Sequence, residues 1–364
     1  MRIQKLKEEL KKVSDPRRAY GNLLHKLEDI MIIGLMTIIC IGEDYTDMEN
    51  FGVERESWLR RFLELPNGIP DSDTFRRVFE RIDPQELLEC LNNWLGNERE
   101  KRRVVNIDGK TICGSGNAEH KAYHVVSAWV CETQITLGEL ETEEKSNEIT
   151  AIPELLDMID VEGCTVTIDA MGCQKAITQK ITEEKADYVI GLKGNQETLR
   201  DDVELYFNDF AKDAEKSETK EMGHGRIENR EYFLETDIDW LFQRSEWSNL
   251  KGIGMVKSTV LEKGIVRQET RYFITSLTDV NDFAYAVRKH WSIENQLHWR
   301  LDVIFREDSA KARKDNSPLN MNVLRKVALS LLNKADFGRI GLRKKMFKAA
   351  LNCSVLSKIV FGAE

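Results

Sequence analysis

The sequence has no apolar run long enough to cross a bilayer. Its longest, Ile30 to Ile41, contains Gly34 and Thr37 and falls well short of the ~20 residues a membrane helix needs. It predicts a buried helix instead. The N-terminal MRIQKLKEELKK sets Leu among charges at helical spacing and lacks the apolar centre of a secretion signal. None of the seven cysteines forms a C-x-x-C pair, and their odd number suggests free thiols in a reducing cytoplasm. With only 6 prolines and 22 glycines in 364 residues, and 41% hydrophobic residues, collagen-like, disordered and low-complexity classes are excluded. At ~150 residues per domain the length allows roughly two domains.

A surplus of positive charge is also lacking. The net charge of -9 by itself argues against a nucleic-acid binder, because phosphate contacts need Lys and Arg. The distribution changes that reading. Residues 132–162 hold ten acids against one base, whereas 306–348 hold twelve bases against four acids and 2–26 hold eight bases against three. A polyanion can bind the basic segments while the acidic one faces away, and solvated helix faces are the plain alternative.

Residues 1–96 read as helices, with breaks at Asp15-Pro16 and at Leu65 to Pro70 and a cap at Asp71 to Thr74. A domain boundary is placed in the charged stretch 97–103. Beyond it the reading is strands over Val104 to Asp108, His124 to Val130 and Gln134 to Leu140, then a helix over 148–160 broken at its start by Pro153. A strand over Cys164 to Asp169, a helix from Gln174 to Lys185 and a strand from Tyr188 to Leu192 follow. Three adjacent strands followed by αβ units predict an α/β domain, a mixed sheet flanked by helices, over 97–330. Further β-like runs within about 197–280 suggest a β-rich insertion. Helix resumes near Asp282 and runs through Asp302, and 331–364 reads as a basic helical segment.

Asp108 and Asp169 end two of the predicted strands, where ligands collect in open α/β sheets. One such Asp is commonly a turn former. Two converging carboxylates repel unless a cation lies between them, and hard divalent ions suit oxygen ligands. In HWSIENQLHWRLDV, His290, Glu294, His298 and Asp302 recur every four residues, which predicts one helical stripe facing a site. Two chemistries compete for it: His-x3-Glu-x3-His on Zn²⁺, or Glu294 completing a carboxylate triad with Asp108 and Asp169. A charged face with satisfied histidines is the third reading. Trp291 and Trp299 read as core.

The segments NIDGKT (106–111), TIDAMGCQ (167–174), GLKGNQ (191–196), HGRIENRE (224–231) and RKHWSIENQLHWRLDVIFRED (288–308) resemble the insertion-sequence transposases of the ISAs class, the group that includes the H-repeat-associated proteins. LEDIMIIGLMTIICIGEDYTDMENFG and LPNGIPDSDTFRRVF resemble that group's N-terminal associated domain. The resemblance covers nearly the whole chain in order. It implies an RNase H-like catalytic domain with the insertion before its last acidic helix, and a DDE triad of Asp108, Asp169 and Glu294 holding Mg²⁺ or Mn²⁺. The implied activity cleaves element ends and joins the 3′-hydroxyl to target DNA, and a decayed, binding or nicking protein is the alternative. A bacterial, cytoplasmic, nucleoid-associated homodimer acting on terminal inverted repeats, with no membrane partner, is further implied. Related transposases place Arg four before the last acid and Lys seven after; here His290 and Leu301 stand there, so those two roles do not transfer. Lys193, Asn195, His224, Arg226 and Arg230 are candidate DNA contacts, and His290, His298 and Asp302 are candidate partners of the triad.

Overall fold

A computed structural model describes residues 2–17, 23–96, 103–116, 121–142, 147–223 and 225–362. Five helices open the chain: α1 (Arg2–Leu10), α2 (Leu27–Ile39), α3 (Tyr45–Leu59), α4 (Ser72–Phe79) and α5 (Pro84–Leu95). Asp44, Asp71 and Asp83 cap the last three, each accepting from a backbone N–H of the first turn. Every residue of α2 is buried, as its nearly all-round apolar surface requires.

An α/β region follows as β1 (Val104–Thr111), β2 (His124–Val130), β3 (Ile135–Thr142), α6 (Glu148–Met158), β4 (Thr165–Ile168), α7 (Lys175–Glu183), β5 (Asp187–Leu192) and α8 (Glu197–Phe210). Strands β6 (Glu215–Gly223), β7 (Arg226–Glu235), β8 (Gly252–Glu262) and β9 (Ile265–Thr275) come next. The chain ends in α9 (Val280–Ile293), a π-helical turn over Glu294–His298, α10 (Trp299–Val303), α11 (Ser317–Lys334), α12 (Leu342–Leu351) and α13 (Cys353–Phe361).

All nine strands form one sheet in the order β3-β2-β1-β4-β5-β9-β8-β7-β6. β1, β2 and β3 are an antiparallel meander, and β4 and β5 run parallel to β1, giving the RNase H-like mixed sheet. The inserted strands extend that sheet, because β9 pairs antiparallel with β5. Val105, Ile107, Val166 and Ile190 face α6, α7 and α8, while the alternate residues Val104 and Val189 face α9. Strand β6 has no apolar alternation, which is why the sequence did not announce it. Helix α6 runs unbroken through Pro153, contrary to expectation, as Ala151, Ile152, Leu155 and Leu156 are buried around it.

The basic C-terminal residues do not form a detached surface segment. Leu331, Leu332, Met346, Leu356 and Ile359 share one apolar cluster with Leu6, Ile30, Phe75 and Leu91 of the N-terminal helices. Three cations of the 306–348 stretch are buried rather than offered to a polyanion. Arg325 faces Glu307, Lys326 is bonded to Glu139 and Ser127, and Lys345 donates to the carbonyls of Leu332 and Ala335.

Gly254 on β8 sets the seating of α9. A Cβ there would lie 2.3 Å from Cζ of Phe283, a fully buried ring that meets Phe273 edge-on at 5.7 Å. Gly254→Ala is therefore expected to destabilise the fold by about 1–3 kcal/mol through overpacking. Thermal melts should show part of that loss recovered in Gly254→Ala/Phe283→Leu, and no recovery would place the strain elsewhere.

Candidate active site

The pairing of β1 with β4 ends where Ile107 stands opposite Ile168, so Asp108 and Asp169 follow side by side just past it; β4 stops there, whereas β1 does not end at Asp108 as expected but runs on to Thr111, held by its antiparallel pairing with β2. Asp169 caps the next turn, its Oδ1 accepting from the N–H groups of Met171 and Gly172. Glu294 stands at the first residue of the π-helical turn, with its side chain largely exposed. All three acids line one cavity of about 770 Å³, together with His290, Lys193, Arg271 and Trp291.

The acids are not equally close. Asp108, Glu294 and His298 bring one ligand atom each within 4.8 Å of one another, and Asp169 stands outside that group. His298 Nδ1 is 3.3 Å from Glu294 Oε2 and 3.7 Å from Asp108 Oδ2. Burial pushes the Asp108 carboxyl up to about 6; His298 and the Gly109 N–H oppose the rise, and the neighbouring Asp169 charge adds to it. The hydrogen bond from His298 holds Glu294 below the usual carboxylate range. Two carboxylate oxygens and an imidazole nitrogen at these separations fit a divalent ion, whose bonds of about 2.1 Å put neighbouring ligand atoms about 3 Å apart.

Strand alternation explains how the site is held. Asn106, Asp108 and Lys110 share the β1 face that looks toward α9, the π turn and α10. Asn106 Nδ2 donates to the carbonyl of Lys289. Lys110 pairs with Asp302 at 2.7 Å and reaches the buried Glu307 at 3.3 Å. One strand thus fixes the helix before and after the π turn. Sequence reasoning passed over Asn106, Lys110 and Glu307, although the period of two around Asp108 pointed at the first two.

The expected four-residue stripe divides at the π turn. His298 joins the carboxylates, whereas Asp302 turns to Lys110. His290 meets the hydroxyl of Thr167 at 3.0 Å through Nδ1, and that hydroxyl gives its single proton to Asn106 Oδ1. Nδ1 of His290 therefore carries the hydrogen, and desolvation lowers the imidazole to about 4, so it is neutral near pH 7. Among the described residues the metal-competent cluster contains His298 without His290, which removes the His-x3-Glu-x3-His zinc arrangement. Trp291 and Trp299 are not core. They are 38% and 52% exposed, and the Arg271 guanidinium sits 4.0 Å from the Trp291 ring centre.

Residues 99–331 match the family described as "Transposase DDE domain", and residues 7–95 match the one described as "DDE_Tnp_1-associated". The chain belongs to the DDE transposase family. It is 36% identical to the H repeat-associated putative transposase YhhI of Escherichia coli K12, over 100% of this chain and 99% of that one. It is 44% identical to an uncharacterized protein in the dhlA 3′ region of Xanthobacter autotrophicus, over 73% of this chain and 92% of that protein. Among solved structures it is similar to a piggyBac transposase synaptic complex with hairpin DNA, with a TM-score of 0.42 and 10% identity over 99% of this chain and 78% of the other.

The remaining candidates of this DDE-family chain divide by their partners. Lys193 is exposed on the cavity wall. Asn195 ties two strand-end loops together, Nδ2 donating to the carbonyl of Ala170 at 2.8 Å. Arg226 pairs with Glu228 at 2.9 Å, and Arg230 is held by Glu228 and Glu221. His224 lies outside the described residues. No described helix is long and apolar enough to cross a membrane.

Proposed function

We propose that this DDE transposase cleaves the ends of its own insertion element and joins the freed 3′-hydroxyl to target DNA, using divalent ions held by Asp108, Asp169 and Glu294. The observation that carries the reading is the parallel register of β1 and β4, which sets two carboxylates side by side on a cavity that Glu294 also lines. Bound Mg²⁺ or Mn²⁺ would supply activation of the attacking hydroxyl and stabilisation of the leaving oxygen in an in-line phosphoryl transfer.

Within that reading Asp108 is the shared ligand, with Glu294 on one side and Asp169 on the other. The cap of Asp169 uses Oδ1, so Oδ2 serves the cavity. Lys193 holds a backbone phosphate at the cavity wall. Exposed Lys311, Arg339, Arg343, Lys344 and Lys348 carry the longer-range attraction to DNA that the buried cations do not. Processing two ends together calls for a homodimer on DNA, and nucleoid association follows from DNA binding.

The test is a labelled duplex carrying the DNA that flanks this gene, incubated with Mg²⁺, with Mn²⁺ or with EDTA. Metal-dependent cuts at the element ends followed by joining support the proposal. Nicking without joining supports a decayed nuclease, and bound DNA left uncut in either metal overturns catalysis.

A further inference from the structure

We propose that His298 is a direct metal ligand, so that the Asp108–Glu294 side of the site takes Mn²⁺ in preference to Mg²⁺; this rests on the metal-dependent reading above. His298 is buried, 5% exposed, and its Nδ1 is aimed between two carboxylates on different elements. Asp169 does not belong to this group. The three-atom cluster therefore contains one nitrogen, whereas the Asp108–Asp169 side offers oxygen alone.

That difference has a chemical consequence. Mg²⁺ keeps to oxygen ligands and water, while imidazole suits first-row transition ions, for which affinity rises from Mn²⁺ onward. The backbone is committed to the arrangement as well. Glu294 and His298 are the first and last residues of the π-helical turn, and such turns occur frequently at functional sites. Asn106 and Lys110 hold the helix on either side of it, so both ligands approach Asp108 from a fixed scaffold. Nδ1 is the nitrogen that faces both carboxylates, so ligation through it places the imidazole's single hydrogen on the buried Nε2 and replaces the Nδ1 hydrogen bond to Glu294 with a bond to the ion.

The experiment is Mn²⁺ and Mg²⁺ titration of the full chain without DNA, by calorimetry and electron paramagnetic resonance, for the wild type, His298→Gln and Asp108→Asn. Expected is tighter Mn²⁺ than Mg²⁺ binding in the wild type. His298→Gln should weaken Mn²⁺ by about tenfold or more while changing Mg²⁺ less, and Asp108→Asn should weaken both. Spin-echo modulation of wild-type Mn²⁺ should reveal a coordinated nitrogen, a readout independent of whether the variant folds. No coordinated nitrogen, or wild-type Mn²⁺ affinity in His298→Gln with loss in Asp108→Asn, overturns the ligand role and leaves the reading of the site standing. Undiminished binding in Asp108→Asn overturns both.

Discussion

Asp108→Asn, Asp169→Asn and Glu294→Gln are each expected to lose DNA cleavage by about 10³-fold or more, equivalent to about 4 kcal/mol of transition-state stabilisation. Each exchange keeps size and removes one anionic ligand. Asp108→Asn should show the largest loss, because in the proposed arrangement Asp108 is shared between the Glu294–His298 side and the Asp169 side. DNA binding should survive in all three variants, since the cations available to phosphates lie elsewhere on the chain. Gel-shift and cleavage measurements on one flanking-DNA duplex separate the two outcomes. Variants that cut as well as the wild type would show that these acids do not carry the reaction.

The second large effect is on stability. Glu307 is fully buried, accepts from Asn322 Nδ2 at 2.8 Å, and faces Arg325 at 3.5 Å and Lys110 at 3.3 Å. Burial works against its charge, yet Arg325, Lys110 and Asn322 hold its carboxyl below the usual range. Glu307→Ala leaves Arg325 buried without its anion, and losing one partner of a buried pair costs about 3–5 kcal/mol. The pH dependence follows from the lowered folded value. The contribution is complete above the unfolded carboxylate pKa of about 4.3 and is lost as pH falls through the lower folded one. Urea unfolding at pH 7 and at pH 3 should show a wild-type–variant gap that narrows in acid. A variant as stable as the wild type at pH 7 would mean that the network contributes nothing.

Glu307 also shows where the sequence stopped being legible. Charge counting placed it in a basic segment, and nothing in linear order separates a buried Arg325 from an exposed Arg343. Asp108 and Asp169 stood out because each follows a short β-branched run, although only β4 stops there and β1 continues through Lys110 to Thr111. Strand β6 was not legible, since Glu215–Gly223 is polar throughout and takes its place through backbone pairing with β7. A spacing of four sets His298 beside Glu294, whereas His290 reaches the same cavity from one side and Asp302 turns away from it. The π turn changes the helix locally, and neighbouring Thr167 and Lys110 claim those two side chains. Trp291 and Trp299 were misread because interleaved apolar residues on a helix do not declare which stripe faces inward.

The burial of α2 on all sides has a consequence for synthesis. Its cover includes α11, which shares its apolar cluster but is translated roughly 280 residues later. At about 5–20 residues per second, the ribosome leaves α2 without that partner for roughly 15 to 60 s. A transposase copy interrupted before Ser317 leaves α2 without that cover, and is expected to aggregate instead of persisting as a folded fragment, which the solubility of residues 1–316 checks.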